Sequence, residues 1–156
     1  MDNNTLEIKA ALQIQKPVHE VFEAIVDPAK MSNYFISSGS GRMEEGKEIM
    51  WGFGEFEMTF PVWIGKIEED KYISFKWGEK GKELLVEMFL ETFEASTVVR
   101  VTEKGMPNNE AGIKWLQGNT EGWANFLACM KAYLEYGVHL RKGAFDFRRD
   151  EFKAKA

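Results

Sequence analysis

Cysteine and histidine are scarce in this chain, with one of the first and two of the second. Cys129 alone cannot close an internal disulfide, which suits a reducing, cytoplasmic setting. His19 and His139 are too few and too far apart for a metal site, which needs three or four ligands at close spacing, so no metal is expected. Basic residues are outnumbered, 20 Lys and Arg against 25 Asp and Glu, for a net charge of −5. That balance excludes a general nucleic-acid binder, which needs a basic face. No uninterrupted apolar run approaches the roughly 20 residues that span a bilayer, so no membrane insertion is expected. No basic-then-apolar N-terminus resembles a signal peptide, which again points to the cytoplasm. The loop Ser37-Ser38-Gly39-Ser40-Gly41 lacks the lysine of a phosphate-binding loop and reads as a turn, so no nucleotide cofactor is expected. Repeats, low-complexity stretches and dividing linkers are also missing, which leaves one domain over residues 1–156.

What the chain does hold is bulky, soft side chains, with 12 Phe, 5 Trp and 8 Met. Aromatics carry large buried areas and methionines fill irregular space, so the set suits a thick core or an adaptable pocket. Leu6, Ile8, Ala10, Leu12 and Ile14 alternate with polar residues, the period of a strand with one buried face. Pro17 then suits a first helical turn, and Val18, Val21, Phe22 and Ile25 continue at helical spacing. Asp27-Pro28 breaks that helix, and Asp27 is placed to cap a second short one through Met31 to Tyr34. Five or six strands follow up to Val101, joined by turns short enough for an antiparallel meander. Pro61 lies within one of them and predicts an edge or a bulge, because it has no N–H to give a ladder. Glu103 to Gly118 reads as a polar loop.

The longest helical signal comes late. Trp123, Phe126, Leu127, Met130 and Leu134 recur at three- and four-residue steps and share one helix face. Asn119 is a candidate N-cap and Gly137 a natural stop. A long apolar stripe needs a sheet to cover, so the expected class is α+β: a curved antiparallel sheet wrapped around a C-terminal helix, with two short helices after the first strand. The core should occupy about residues 5–137, and residues 138–156 should form a tail that packs partly on the surface and frays at its end.

Two stretches resemble a known family. Pro17-x-x-x-Val21-Phe22-x-Ala24-Ile25-x-Asp27-Pro28, with Met31 and Tyr34-Phe35, resembles the opening of the START-like helix-grip (SRPBCC) superfamily. Gly122-Trp123-x-x-Phe126-Leu127-x-x-Met130-x-x-Tyr133-Leu134 resembles its closing helix. The nearest family is the one related to the activator of the heat-shock chaperone ATPase. Phe22 and Tyr34 stand where many relatives carry tryptophan. The resemblance implies an apolar cavity between sheet and last helix, and members of the superfamily carry lipids, hormones, pigments or polyketides, or act as cyclases. Fold limits function without fixing it.

No acid/base pair can be named from the residues. His19 reads as a solvated surface histidine and Cys129 as inert core, since no base or cation neighbours it in sequence. Glu83, Glu87 and Glu91 share a strand parity opposite to Leu84, Val86, Met88 and Leu90, and so should face solvent. Glu48 and Glu55 are candidates for a pocket rim without a partner. The apolar set is the stronger signal, and Trp51, Phe53, Met58, Phe60, Phe75, Trp77, Met88, Trp123, Phe126 and Met130 are the candidate ligand-binding residues, each weighed against ordinary core packing. The expectation is a binder or carrier of a small hydrophobic molecule, with no catalysis assigned. The alternatives are a regulator that meets a heat-shock chaperone through its surface, and a cyclase-like enzyme.

Overall fold

The computed structural model describes the backbone of residues 4–154 and the side chains as far as Glu151. Strand β1 (Thr5–Ile14) leads into helices α1 (Val18–Val26) and α2 (Pro28–Met31). Six further strands follow: β2 (Ser38–Gly39), β3 (Glu48–Gly52), β4 (Thr59–Glu68), β5 (Tyr72–Trp77), β6 (Leu84–Phe93) and β7 (Ser96–Pro107). Helices α3 (Glu110–Tyr136) and α4 (Phe147–Ala154) close the chain. The strands make one seven-stranded sheet in the order β1-β7-β6-β5-β4-β3-β2, with every pairing antiparallel. It is an open, curved sheet with a long helix across it, the α+β class that the alternation predicts.

Alternation fixes which face is buried. In β7, Thr97, Val99, Val101 and Glu103 share one parity and are all fully buried, as are Val86 and Met88 across the ladder in β6. Helix α3 packs against β1 and β7. Its Phe126 and Met130 reach full burial, each a change of about 1.5–3 kcal/mol relative to exposure. Between helix and sheet the rings interlock edge to face: Phe35 meets Trp51, Phe53 and Phe126, and Trp51 meets Phe75 and Trp77. Tyr34 is fully buried, yet its hydroxyl donates to the Ala24 carbonyl at 2.8 Å, so no polar group is stranded there.

Several boundaries depart from the sequence reading. The stretch expected as a loop from Glu103 to Gly118 is the end of β7 and the first turns of α3. Asn109, not Asn119, is the N-cap, and its side chain accepts from the Gly112 N–H at 2.8 Å. The polar residues there hid the helix, because its apolar face is interrupted by glycines and asparagines that border a cavity rather than a core. Gly112 permits the tight start, since a Cβ at that position would lie 1.9 Å from the Pro107 carbonyl oxygen. Gly137 does end the helix, in the left-handed conformation with φ of 65°. Asp27 caps α2 as expected, accepting from the Ala29 N–H, although the helix stops at Met31.

The Ser37–Gly41 stretch is not only a turn, because Ser38 and Gly39 pair with β3. Pro61 pairs with Met50 of β3 but lies beyond the first β4–β5 partner, Trp63, so its missing N–H costs no ladder bond on that side. The irregularity in the same strand falls between Ile64 and Ile67. The tail contains α4 and crosses to the Phe53–Glu55 region rather than covering the outer face of β6, where Phe93 stays half exposed. Its expected fraying end lies outside the described residues.

Candidate functional site

A cavity of about 950 Å³ opens between the first half of α3, the β5–β6 turn, the end of β7 and the loop joining β3 to β4. Phe53, Phe56 and Phe60 from the loop and β4, Trp77 from β5, and Trp115 and Trp123 from α3 give the wall aromatic faces, and charged residues, Glu103 and Glu55 among them, share the lining. Gly118 and Gly122 complete the helix side, one turn apart, and a Cβ at either would meet nothing within 4 Å. Two glycines inside a helix cost about 1 kcal/mol each against alanine. Here they withdraw side-chain volume from the cavity wall.

Among the candidate residues, the cavity wall takes Phe53, Phe60, Trp77 and Trp123. Trp51, Phe75, Met88, Phe126 and Met130 pack into the core behind it. Met58 is in the loop before β4 and is 66% exposed. The division has a physical origin. Phe126 and Met130 in the second half of α3 and Phe75 and Met88 in mid-sheet are closed over by core neighbours, whereas the cavity borders the first half of α3 and the ends of β5 and β7.

Charge inside the cavity departs from the sequence reading, which assigned none. Glu103 of β7 is 0% exposed and is held by three donors. Trp77 Nε1 donates to its Oε2 at 2.8 Å, and Trp123 Nε1 and Asn119 Nδ2 donate to its Oε1 at 2.8 and 3.2 Å. Neutral N–H donors thus replace water around a buried carboxylate. The alternation of Thr97, Val99 and Val101 continued two residues further was the signal that placed Glu103 inside. Asn119 supplies its amide to this carboxylate from mid-helix instead of capping the helix.

Glu83 was expected to face solvent and instead is among the residues that line the cavity, just ahead of β6, with Oε2 enclosed and without a hydrogen-bond partner among the described residues. Trp115 Nε1, on the helix side, is likewise enclosed without a hydrogen-bond partner among the described residues. Glu87 and Glu91 do sit on the outer face, where they meet Lys104 and Arg100.

At the mouth, Glu55 is buried and Arg141 of the tail donates to both its oxygens, at 3.1 and 2.9 Å. Arg148 approaches the same carboxylate at 3.9 Å and Glu121 at 3.6 Å. The two guanidinium groups also lie over the ring of Phe145, 4.5 and 4.4 Å from its centroid. The tail is thereby fastened beside the opening. Glu48 remains exposed in β3 and joins no site.

The remaining candidates for chemistry lie elsewhere. Cys129 is buried, and burial pushes its thiol up, with the Arg141 charge opposing. It is poorly suited to act as a nucleophile. His19 lies on the surface, where Nδ1 is 2.9 Å from Asp70 and 4.0 Å from Glu69. The hydrogen bond and charge of Asp70 raise its pKa above the ordinary 6.5. The three groups converge enough to touch one ion, but they are solvated and remote from the cavity. No helix among the described residues is long and apolar enough to cross a membrane.

The fold has relatives. The family model described as "Activator of Hsp90 ATPase homolog 1-like protein" matches residues 15–135. A crystal structure of a Staphylococcus saprophyticus protein is 37% identical, with a TM-score of 0.76 over 85% of this chain and 94% of that one. DynU16, from the dynemicin biosynthetic locus, is 25% identical with a TM-score of 0.73, over 84% of this chain and 48% of its own. The Aha1 dimer from Colwellia psychrerythraea shares the fold at 19% identity, with a TM-score of 0.74 over 85% of this chain and 98% of that one. No curated protein matches. The chain belongs to the family of activator of Hsp90 ATPase homolog 1-like proteins, within the START-like helix-grip superfamily.

Proposed function

We propose that this protein binds or carries a small, predominantly apolar molecule in the cavity between the β5–β6 turn and the first half of α3. The observation that carries this reading is the cavity of about 950 Å³, with Phe53, Phe60, Trp77, Trp115 and Trp123 offering aromatic faces among its lining. Sites that bury most of a drug-sized ligand occupy about 300–1,000 Å³, with few polar groups among hydrophobic ones. Gly118 and Gly122 support it, because helix stability is given up at the two positions where side chains would narrow the space. Trp51, Phe75, Met88, Phe126 and Met130 then serve as the packed support behind the lining.

No step of catalysis is assigned. Glu103 is a fully buried carboxylate of the wall, and both its oxygens are engaged by indole or amide N–H groups that fix it in place. A regulator acting on a heat-shock chaperone is the other reading that family membership allows, and it would use the surface rather than the cavity.

Native mass spectrometry of protein purified from its own host tests the proposal. A reproducible mass excess that disappears on denaturation is expected. A clean apo mass, together with a stoichiometric, salt-sensitive complex with a heat-shock chaperone, would move the function to the surface.

A further inference from the structure

Resting on that reading, we infer that the ligand is an amphiphilic carboxylic acid, its acid group received by Arg148 and its apolar body laid against the aromatic faces. Arg141 and Arg148 are the two cationic tail residues that line the cavity. They share one buried carboxylate, Glu55, and Arg141 already donates to both its oxygens. Arg148 is left 3.9 Å from Glu55 and 3.6 Å from Glu121, beyond hydrogen-bond distance of either. Its guanidinium therefore carries donors without an acceptor among the described residues. The group is nonetheless held in place, 4.4 Å from the centroid of the Phe145 ring, and its side chain is 30% exposed and open to an incoming group. A fixed fork of N–H donors receives a carboxylate through two parallel bonds.

Charge selects the kind of acid and its orientation. Two guanidinium groups beside one buried carboxylate leave a surplus of one positive charge, because Glu121 is 66% exposed and its contact is screened by water. A monoanion balances that surplus. A phosphate monoester brings nearly two negative charges and adds repulsion from Glu55. The other acids of the lining, Glu79, Glu83 and Glu103, come from the sheet side, where Lys82 alone opposes them among the described lining residues. They direct the negative end of a ligand towards the tail and leave Trp77 and Trp123 to its apolar body.

Four pyrenes separate charge from bulk, with binding followed by fluorescence at about pH 7, where a carboxylic acid is ionised. 1-Pyrenebutyrate carries the acid, its methyl ester has the same body without the charge, 1-pyrenebutyl phosphate carries the larger charge, and 1-methylpyrene is the ring alone. The butyrate should bind about tenfold tighter than its ester, through charge-assisted bonds to the guanidinium, and tighter than the phosphate. Arg148→Ala should bring the butyrate down to the level of the ester and leave the ester unchanged. Arg148→Lys, which keeps the charge without the fork, should retain part of the difference. A butyrate no tighter than its ester would overturn the inference and leave the cavity's binding role standing. A phosphate tighter than the butyrate would overturn the carboxylate, and a preference for the butyrate undiminished in Arg148→Ala would overturn the place of Arg148. Failure of every pyrene to bind, 1-methylpyrene included, would overturn the inference together with the proposed function.

Discussion

Trp77 of β5 and Trp123 of α3 clasp one carboxylate from two sides. Each donates its indole N–H at 2.8 Å, the first to Oε2 and the second to Oε1 of Glu103, with their ring centroids 5.6 Å apart. Sheet and helix are thus tied at the cavity wall by a polar contact beside the packed indole rings.

Glu103→Ala should therefore destabilise the protein by about 2–4 kcal/mol, since it strands two indole N–H groups away from water. Glu103→Gln keeps one acceptor oxygen and should cost less, about 1–3 kcal/mol. Urea unfolding followed by tryptophan fluorescence measures both. A cost below experimental error for the alanine variant would show that the clasp does not hold the two elements together.

Gly118 and Gly122 should separate stability from binding. Gly118→Ala should stabilise the fold by up to about 1 kcal/mol, because the helix gains and nothing is struck. Gly122→Phe should leave the thermal transition cooperative and lower affinity for 1-methylpyrene at least about tenfold by filling the cavity. Unchanged pyrene affinity in that variant would mean that the probe binds elsewhere.

Among the described residues, Arg141→Ala leaves the Glu55 carboxylate, 4% exposed, with only the more distant Arg148. Breaking such a pair costs about 3 kcal/mol where the remaining charge stays buried. Because the pair joins the tail to the β3–β4 loop, the loss should appear as local opening. Amide exchange should quicken over residues 138–150 and around Glu55, with the centre of α3 unchanged.

The raised pKa of His19 carries a sign. Its partner Asp70 favours the protonated ring, so the stabilisation is complete below the unfolded value of about 6.5 and is lost as pH rises through the higher folded value. Asp70 sits at φ of 62°, a conformation asparagine also accepts, so Asp70→Asn removes the charge without backbone strain. The melting difference between wild type and variant should be larger at pH 5.5 than at pH 8.5 (about one unit below and two above the reference value). In the variant the His19 titration, followed by NMR, should fall back towards the ordinary value.

By itself the sequence determined the order of the main elements, without β2 or α4, and the buried face of the longer strands and of α3. Period-two alternation in β1, β6 and β7 and the spacing of Trp123, Phe126, Leu127 and Met130 are local patterns that follow from backbone geometry, and the motifs around Pro17 and Gly122 carried the family. The start of α3 was hidden, because Ala111, Trp115, Gly118, Asn119 and Gly122 border a cavity and so break the apolar pattern that marks a helix packed on a core. Glu103 lay one alternation beyond the last valine of its strand, where a charged residue reads as the strand's end.

Only the tertiary structure decided which aromatics line space and which fill it. Phe60 and Phe75 sit on neighbouring strands with similar local patterns, yet one borders the cavity and the other is wholly buried. The difference is set by which elements of the whole chain close over each ring, and no local pattern reports that. The same holds for Glu55 and Arg141, 86 residues apart in sequence, whose pairing comes from the tail folding back across the mouth.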